Sequence, residues 1–361
     1  MTSPLDLCDL RTRVQAAVDA EMQVQRAILA PVGDELNPLV DAVERLIAGG
    51  KRLRAGFLYW GYRASGSPDS DALVRLAAAM EFFQAAALLH DDVMDGSDTR
   101  RGMPAAHRAF SALHADSGWA GDSTRFGESA AILAGDLCLQ WSDELYATSG
   151  LPSDELDRGR RTFDTMRTQL MGGQYLDLLE SARGWDQLDT SARIDSARNV
   201  IRYKSAKYSV EHPILIGAAV GGVAASGLAY LSEYGLALGE AFQLRDDVLG
   251  VFGDPSTTGK PAGDDLREGK RTVLVALALD NADTDQAALF EKLFGQPDLD
   301  ADGVTQLRGV IADTGAVEQV EAMIAGLSAQ SRAALEKAPG LDAEAVEVLA
   351  SLVAATTSRT A

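Results

Sequence analysis

Apolar residues recur every three or four positions through most of the chain, and the strict apolar–polar alternation of half-buried strands is scarce. Alanine and leucine, both strong helix formers, are plentiful. Residues 71–95 show the pattern well. Leu76, Met80, Phe83, Ala87 and Asp91 form one stripe, apolar until its last member. The same periodicity predicts helices over about 5–30, 36–47, 52–65, 104–115, 127–148, 153–180, 190–206, 208–223, 227–251, 271–281, 284–294 and 315–337, with one more near the end. Breaks are expected at Gly49-Gly50, at Ser65-Gly66-Ser67-Pro68, in the Gly/Ser/Asp-rich 116–128, at Ser149-Gly150-Leu151-Pro152 and over 253–264. None is a long linker and no fixed-period repeat occurs, so the expectation is a single all-α domain over residues 1–361.

Composition narrows the class. Of 361 residues, 46% are hydrophobic and 24% charged, ordinary values for a globular protein. A net charge of −20 argues against nucleic acid as a partner, because phosphates would be repelled. Two cysteines, Cys8 and Cys138, are too few for a disulfide framework. The N-terminus lacks a basic region followed by an apolar run, and no apolar stretch reads as long enough to span a membrane. The expected compartment is the reducing cytoplasm.

Against this acidic background, basic residues gather beside two aspartate clusters. The first is Leu89-His90-Asp91-Asp92-Val93-Met94-Asp95, followed by Asp98, Arg100 and Arg101. On a helix Asp91 and Asp95 share a face. Hard carboxylate oxygens on one face, with cations beside them, suit a Mg²⁺–diphosphate site. Isolated, such a cluster is more often a solvated helix end, and each arginine alone could simply neutralise an acid. The acids here directly follow an apolar stripe, where a buried face meets something polar.

The second cluster is Phe242-Gln243-Leu244-Arg245-Asp246-Asp247, with Gly259-Lys260 and Asp265 downstream. The Gly/Pro-rich loop between is expected to let Lys260 fold back over the Asp pair. Two further basic sites are Gly49-Gly50-Lys51-Arg52-Leu53-Arg54, either an anion site at a helix start or a charged turn, and Tyr203-Lys204-Ser205-Ala206-Lys207-Tyr208. Lys204 either reaches a diphosphate from a third helix or sits on the surface.

Taken in order, these motifs resemble the trans-isoprenyl diphosphate synthases, the polyprenyl synthetase family, and most of all bacterial geranylgeranyl diphosphate synthases. The resemblance runs from about Gly49 to Thr272 and includes Arg100-Arg101-Gly102-Met103-Pro104, Gly135-Asp136 and Gly173-Gln174-Tyr175-Leu176-Asp177. It implies an all-α helical bundle with a central active-site cavity. It also implies a prenyltransferase that joins isopentenyl diphosphate to an allylic diphosphate (dimethylallyl, geranyl or farnesyl). By the resemblance, Asp91 and Asp95 would bind two Mg²⁺ ions with Asp92 behind them, and Asp246 would bind a third, with Asp247 and Asp265 nearby. Arg100, Lys204 and Lys260 would contact the allylic diphosphate. Lys51, Arg54 and Arg101, helped by Gln84, would bind that of isopentenyl diphosphate. Gln243 and Gln174 would line the reacting centre with Phe242 close by, and Ser205 would bind substrate. A homodimer is implied, and helix 127–148 is apolar enough to supply its interface.

Two positions depart from the family pattern: Gly250 stands where many relatives carry a third Asp, and Gln84 where many bacterial relatives carry His. Lys207 adds a charge with no assigned role. Product length is read from the stripe before Asp91. Ala86 and Ala87 leave open the turn where short-chain relatives often place aromatics. Phe83 lies about 12 Å from Asp91 at ~1.5 Å per residue and could form the floor, as could Met80 or a residue of a neighbouring helix. A C20 product follows, with C25 or longer, or farnesyl diphosphate, as alternatives. A class I terpene cyclase needs only one diphosphate site, and a regulatory subunit usually loses an aspartate cluster, so both rank lower.

Overall fold

The computed structural model describes residues 4–185, 188–253 and 263–357. Among them the elements are helical, except for a two-residue antiparallel ribbon pairing Thr99 with Pro104 and Arg100 with Met103. The all-α expectation holds. Contacts group the chain into two compact units, Met1–Arg160 with Ile216–Val223, and Arg161–Leu215 with Ala224–Ala361.

The first unit is built around one helix. Its elements are α1 (Leu10–Leu29), α2 (Asn37–Ile47), α3 (Leu53–Arg63), α4 (Asp71–Met94), α5 (Ala106–Asp116) and α6 (Ser123–Ala147), and α4 packs against all the others. The Ser70 side chain caps α4 by accepting from Leu73 N–H. Ser142 Oγ donates to Ala79 O at 2.8 Å, and Phe82 meets Trp141 edge-on at 6.1 Å, both joining α4 to α6. Glycines permit the closest approaches. A Cβ at Gly135 of α6 would collide with the His90 ring, and one at Gly217 with Leu58 O. By length and composition α4 is able to cross a membrane, with an 18-residue window of mean hydropathy 1.6, which corrects the expectation that no stretch is long enough. Two-thirds of that window is buried inside the protein, as in the core helix of a globular fold.

The second unit holds most of α7 (Ser153–Ala182), then α8 (Thr190–Val200) and the start of α9 (His212–Gly221), and is centred on α10 (Ala225–Phe252). Helix α10 packs against Ala316–Lys337 and Ala343–Thr357. Tyr234 OH donates to Leu349 O at 2.8 Å, and Arg245 forms a forked pair with Glu321 at 2.5 and 2.6 Å.

Several boundaries differ from expectation. The break foreseen at residue 207 is absent. Residues Ile201–Glu211 continue α8 into α9 as a π-helix, whose wider winding shows in the His212 N–H bond to Lys207 O. The first helix begins at Leu10 rather than at 5, because Cys8 and Asp9 take left-handed φ values of 61° and 53°. The helix Ala301–Asp313 was not expected, since Gly303, Thr305 and Gly309 dilute its propensity. Its Asp300 cap accepts from Gly303 N–H at 2.8 Å.

Candidate active site

In the first unit, α4 delivers the aspartates. Gln84, Ala87, Leu88, Asp91 and Asp95 are all half-buried, and their spacing places them on one face. Phe83 and Ala86 are buried in the packed side of the helix, as is Asp92. Leu88, not singled out in the sequence, shares the Asp91 face; its half-burial is the signal, and one sequence does not carry it.

Asp92 does not face solvent as a ligand would. It accepts from Arg100 Nε at 2.9 Å and again from Nη2, while Arg100 Nη2 lies 3.7 Å from Asp91 Oδ2. The ribbon positions this arginine, and the turn that closes it is tight. Arg101 and Gly102 both take positive φ, 54° and 75°. Arg101 Nη1 then donates to Leu46 O at 2.7 Å, beside Gly50.

Around it lie Arg52, Arg54 and Arg100. Burial holds the Arg101 guanidinium below its usual range, and the charges of Arg52, Arg100 and Arg54 push it the same way, against Glu81. Four arginines thus share one patch. Lys51 is exposed in the same Gly-Gly-Lys-Arg turn, which precedes the first residue of α3, Leu53.

Arg52 is the residue that sequence reasoning passed over. It is buried in a left-handed conformation with φ of 53°, donates to Glu81 Oε2 at 2.6 Å and to Ile47 O at 2.6 Å, and bonds Gln15. It ties the basic turn to α4, between Met80 and Phe82. An arginine inside a basic run gives no sign of being buried until its partner is placed beside it.

In the second unit, Phe242, Gln243, Asp246 and Gly250 share a half-buried face of α10. The π-helix sends neighbouring residues to different partners. Lys204 Nζ donates to Asp177 Oδ2 of α7 at 2.6 Å, and Ser205 Oγ to Gln243 Oε1 at 2.5 Å. Gln243 Nε2 in turn donates to Asp247 Oδ1 at 2.8 Å. Asp247 is buried, its Oδ2 has no hydrogen-bond partner among the described residues, and burial pushes its pKa up to about 7. Gln174 is half-buried on α7. Lys207, left without a role, pairs with the buried Glu211 at 2.7 Å and lies over the Tyr203 ring at 5.9 Å. Lys260 lies outside the described residues.

The donors fit Mg²⁺. Asp91, Asp95 and Asp246 offer hard carboxylate oxygens, and the Asp247 Oδ2, one residue from Asp246, has no hydrogen-bond partner among the described residues. Among the described residues no three acidic, His or Cys side chains converge on a closed cage. Magnesium favours the open arrangement, since it keeps its waters and binds through one or two carboxylates plus substrate phosphates.

Comparison with known proteins agrees with this chemistry. Residues 37–311 match the family model described as polyprenyl synthetase. A geranylfarnesyl diphosphate synthase of Aeropyrum pernix is 32% identical, over 84% of this chain and 88% of its own length. A nonaprenyl diphosphate synthase of Mycobacterium tuberculosis is 31% identical, over 96% of this chain and 91% of its own. The crystal structure of a geranylgeranyl pyrophosphate synthase from Corynebacterium glutamicum, complexed with isoprenyl diphosphate and magnesium, superposes with a TM-score of 0.92 at 37% identity. It covers 99% of this chain and 100% of that one.

Proposed function

The chain belongs to the polyprenyl synthetase family and is a trans-prenyltransferase, and on that premise we propose that it joins isopentenyl diphosphate to an allylic diphosphate to make geranylgeranyl diphosphate (C20). The observation that carries the reading is the arginine patch beside the Asp91 and Asp95 face. Four guanidinium groups repel one another, and a bound diphosphate would offset that repulsion. A cyclase needs only one diphosphate site, and this patch supplies a second.

In this reading Lys51, Arg54 and Arg101 bind the diphosphate of isopentenyl diphosphate, with Gln84 helping, and Arg52 holds their turn against Glu81. Asp91, Asp95 and Asp246 hold three Mg²⁺ ions, Asp92 orients Arg100, and Asp247 supports Asp246. Bound Mg²⁺ supplies Lewis-acid neutralisation of the departing diphosphate. Arg100, Lys204 and Lys260 add fixed positive charge at the same leaving group. The allylic C–O bond breaks, and the double bond of isopentenyl diphosphate, held close by its own cationic site, attacks the allylic cation. Loss of a proton to the released diphosphate gives a product one isoprene unit longer. Apolar walls exclude water, which would quench the cation. Gln174, Ser205, Gln243 and Phe242 line the reacting centre.

The C20 length rests on small residues near Asp91. Ala87 is half-buried on the Asp91 face and Ala86 is buried, so neither blocks a growing tail, and in this reading the floor lies at the level of Phe83, although the Phe83 side chain is packed in the core. The relatives include synthases named for longer products, which keeps C25 and above as the second reading. We further propose that residues 1–361 act as one synthase domain, supported by a family match that runs through both units. The protein works in the cytoplasm as a homodimer. Exposed Phe126, Ile132 and Leu133 along α6 support the dimer.

The test is an incubation of purified protein with Mg²⁺, isopentenyl diphosphate and farnesyl diphosphate, with products dephosphorylated and sized by mass. A C20 alcohol is expected. Longer alcohols would move the floor past Phe83, and a hydrocarbon with released diphosphate would replace the transferase reading by a cyclase.

A further inference from the structure

Lys207 lies inside the π-helix Ile201–Glu211, shortly after Lys204 and Ser205. Its side chain is only 17% exposed and runs along the segment rather than out to water. Nζ donates to Glu211 Oε2 at 2.7 Å and lies 5.9 Å from the centre of the Tyr203 ring. Tyr203 adjoins Lys204, and Glu211 ends the segment. One ammonium therefore touches both sides of the stretch that carries Lys204 and Ser205.

Glu211 is the anchor. It is buried, and its other oxygen, Oε1, accepts from Ser232 Oγ of α10 at 2.6 Å. A Cβ at Gly235 of α10 would lie 2.7 Å from Glu211 Cα, so the two backbones meet closely here. Nearer its start the segment is held to the same helix by Ser205 Oγ on Gln243 Oε1 at 2.5 Å. The π-helix is thus pinned to α10 at two points. Such winding is rare and occurs mainly where function requires it. A buried carboxylate is costly without a cation, and removing one partner of a buried pair costs more than the pair itself is worth. Among the described residues Lys207 is the cation paired with Glu211. Without it, Glu211 gains by turning toward water, which draws the end of the segment away from Ser232 and Gly235. The winding that gives Lys204 to Asp177 at 2.6 Å and Ser205 to Gln243 would relax with it.

We propose that Lys207 is a positioning residue for the allylic diphosphate site. By keeping Glu211 on Ser232 it maintains the π winding, and the π winding presents Lys204 and Ser205 together. Its charge acts through Glu211 and does not itself reach the substrate. This rests on the reading of Lys204 as a ligand of the allylic diphosphate.

The experiment combines thermal melts, amide hydrogen exchange by mass spectrometry and steady-state kinetics with each diphosphate varied in turn, on the full-length protein with Mg²⁺. It compares the native chain with Lys207→Met, Lys207→Gln, Lys207→Arg, the double variant Lys207→Met/Glu211→Gln, and Lys204→Ala. Lys207→Met keeps an apolar stem over Tyr203 and leaves Glu211 unpaired. It is expected to raise KM for the allylic substrate roughly tenfold, as loss of one charge-assisted hydrogen bond from Lys204 would, and to change KM for isopentenyl diphosphate less than about twofold. Exchange is expected to quicken over residues 201–212 before the rest of the chain. Lys207→Arg is expected to behave as the native protein. The double variant removes the buried charge together with its partner, and is expected to recover both melting temperature and allylic KM. Lys207→Gln still donates to Glu211; it is expected to raise allylic KM about threefold, and it replaces Lys207→Met if that variant does not fold. Native allylic KM in both Lys207→Met and Lys207→Gln overturns the proposal, as do equal rises in both KM values or a fall in kcat alone. A folded double variant that keeps the Lys207→Met defect also overturns it, since the lysine would then act directly on the substrate. Native allylic KM in Lys204→Ala overturns instead the reading of Lys204, which separates the two failures.

Discussion

Charge at single residues sets the substrate discrimination this enzyme should show. Lys51 and Arg101 lie in or beside the arginine patch of the first unit, and Arg101 is held there by Leu46 O. Replacing either with alanine is expected to raise KM for isopentenyl diphosphate on the order of tenfold, the effect of losing one charge-assisted hydrogen bond, and to change KM for the allylic substrate less. Steady-state kinetics with each substrate varied in turn checks this, and equal effects on both would remove the assignment. A second residue governs acid tolerance. Burial lowers the His212 imidazole to about 4 from 6.5, opposed by Glu211 and aided by Lys207. Its folded value lies below its unfolded one, so between these pH values the unfolded chain binds more protons. Stability is therefore lost as pH falls from 6.5 toward 4. Thermal melts across that window are expected to show the loss, and His212→Gln to flatten it.

At the scale of elements, the π-helix and α4 decide what the residues can reach. Residues Ile201–Glu211 lie against glycines of two other helices. A Cβ at Gly173 of α7 would lie 2.8 Å from Lys204 Cα, and one at Gly239 of α10 2.6 Å from Ala206 O. Gly239→Ala is expected to destabilise the protein by about 1–3 kcal/mol through overpacking and, by displacing the backbone beside Ser205, to reduce kcat as well. A melt combined with turnover measurements tests both. On α4 the question is length. Ala87→Phe places an aromatic ring on the half-buried Asp91 face, and the product is expected to shorten from C20 toward C15. Mass analysis of dephosphorylated products decides; an unchanged product would mean that the tail does not pass position 87. Helical periodicity revealed α4 and α10 to within a few residues. It missed the π-helix, because the winding answers to glycines on α7 and α10 rather than to its own neighbours.

For the whole molecule, the exposed apolar side chains of α6 are the feature to test. Ile132 is 44% and Leu133 57% exposed, about two turns along α6 from Phe126. Light scattering behind size-exclusion chromatography is expected to give a dimer, and Ile132→Glu/Leu133→Glu a monomer, because burying two carboxylates in an apolar interface is prohibitive. A native monomer would assign these residues to another partner or to none.

The chain by itself determined its helical class, the two aspartate faces and the order of basic motifs around them, and with these its chemistry. Each is a local or linear property: helical spacing is set within one turn, and motif order needs no folding to be read. Tertiary structure alone decided which charge meets which. Arg100 was expected on a diphosphate and also holds Asp92; Arg52 looked like part of a basic run and is buried against Glu81; Gly250 looked like a lost ligand and has the Asp265 carboxylate beside it. Such pairings join residues far apart in sequence. They depend on how helices pack, which no window of the sequence contains.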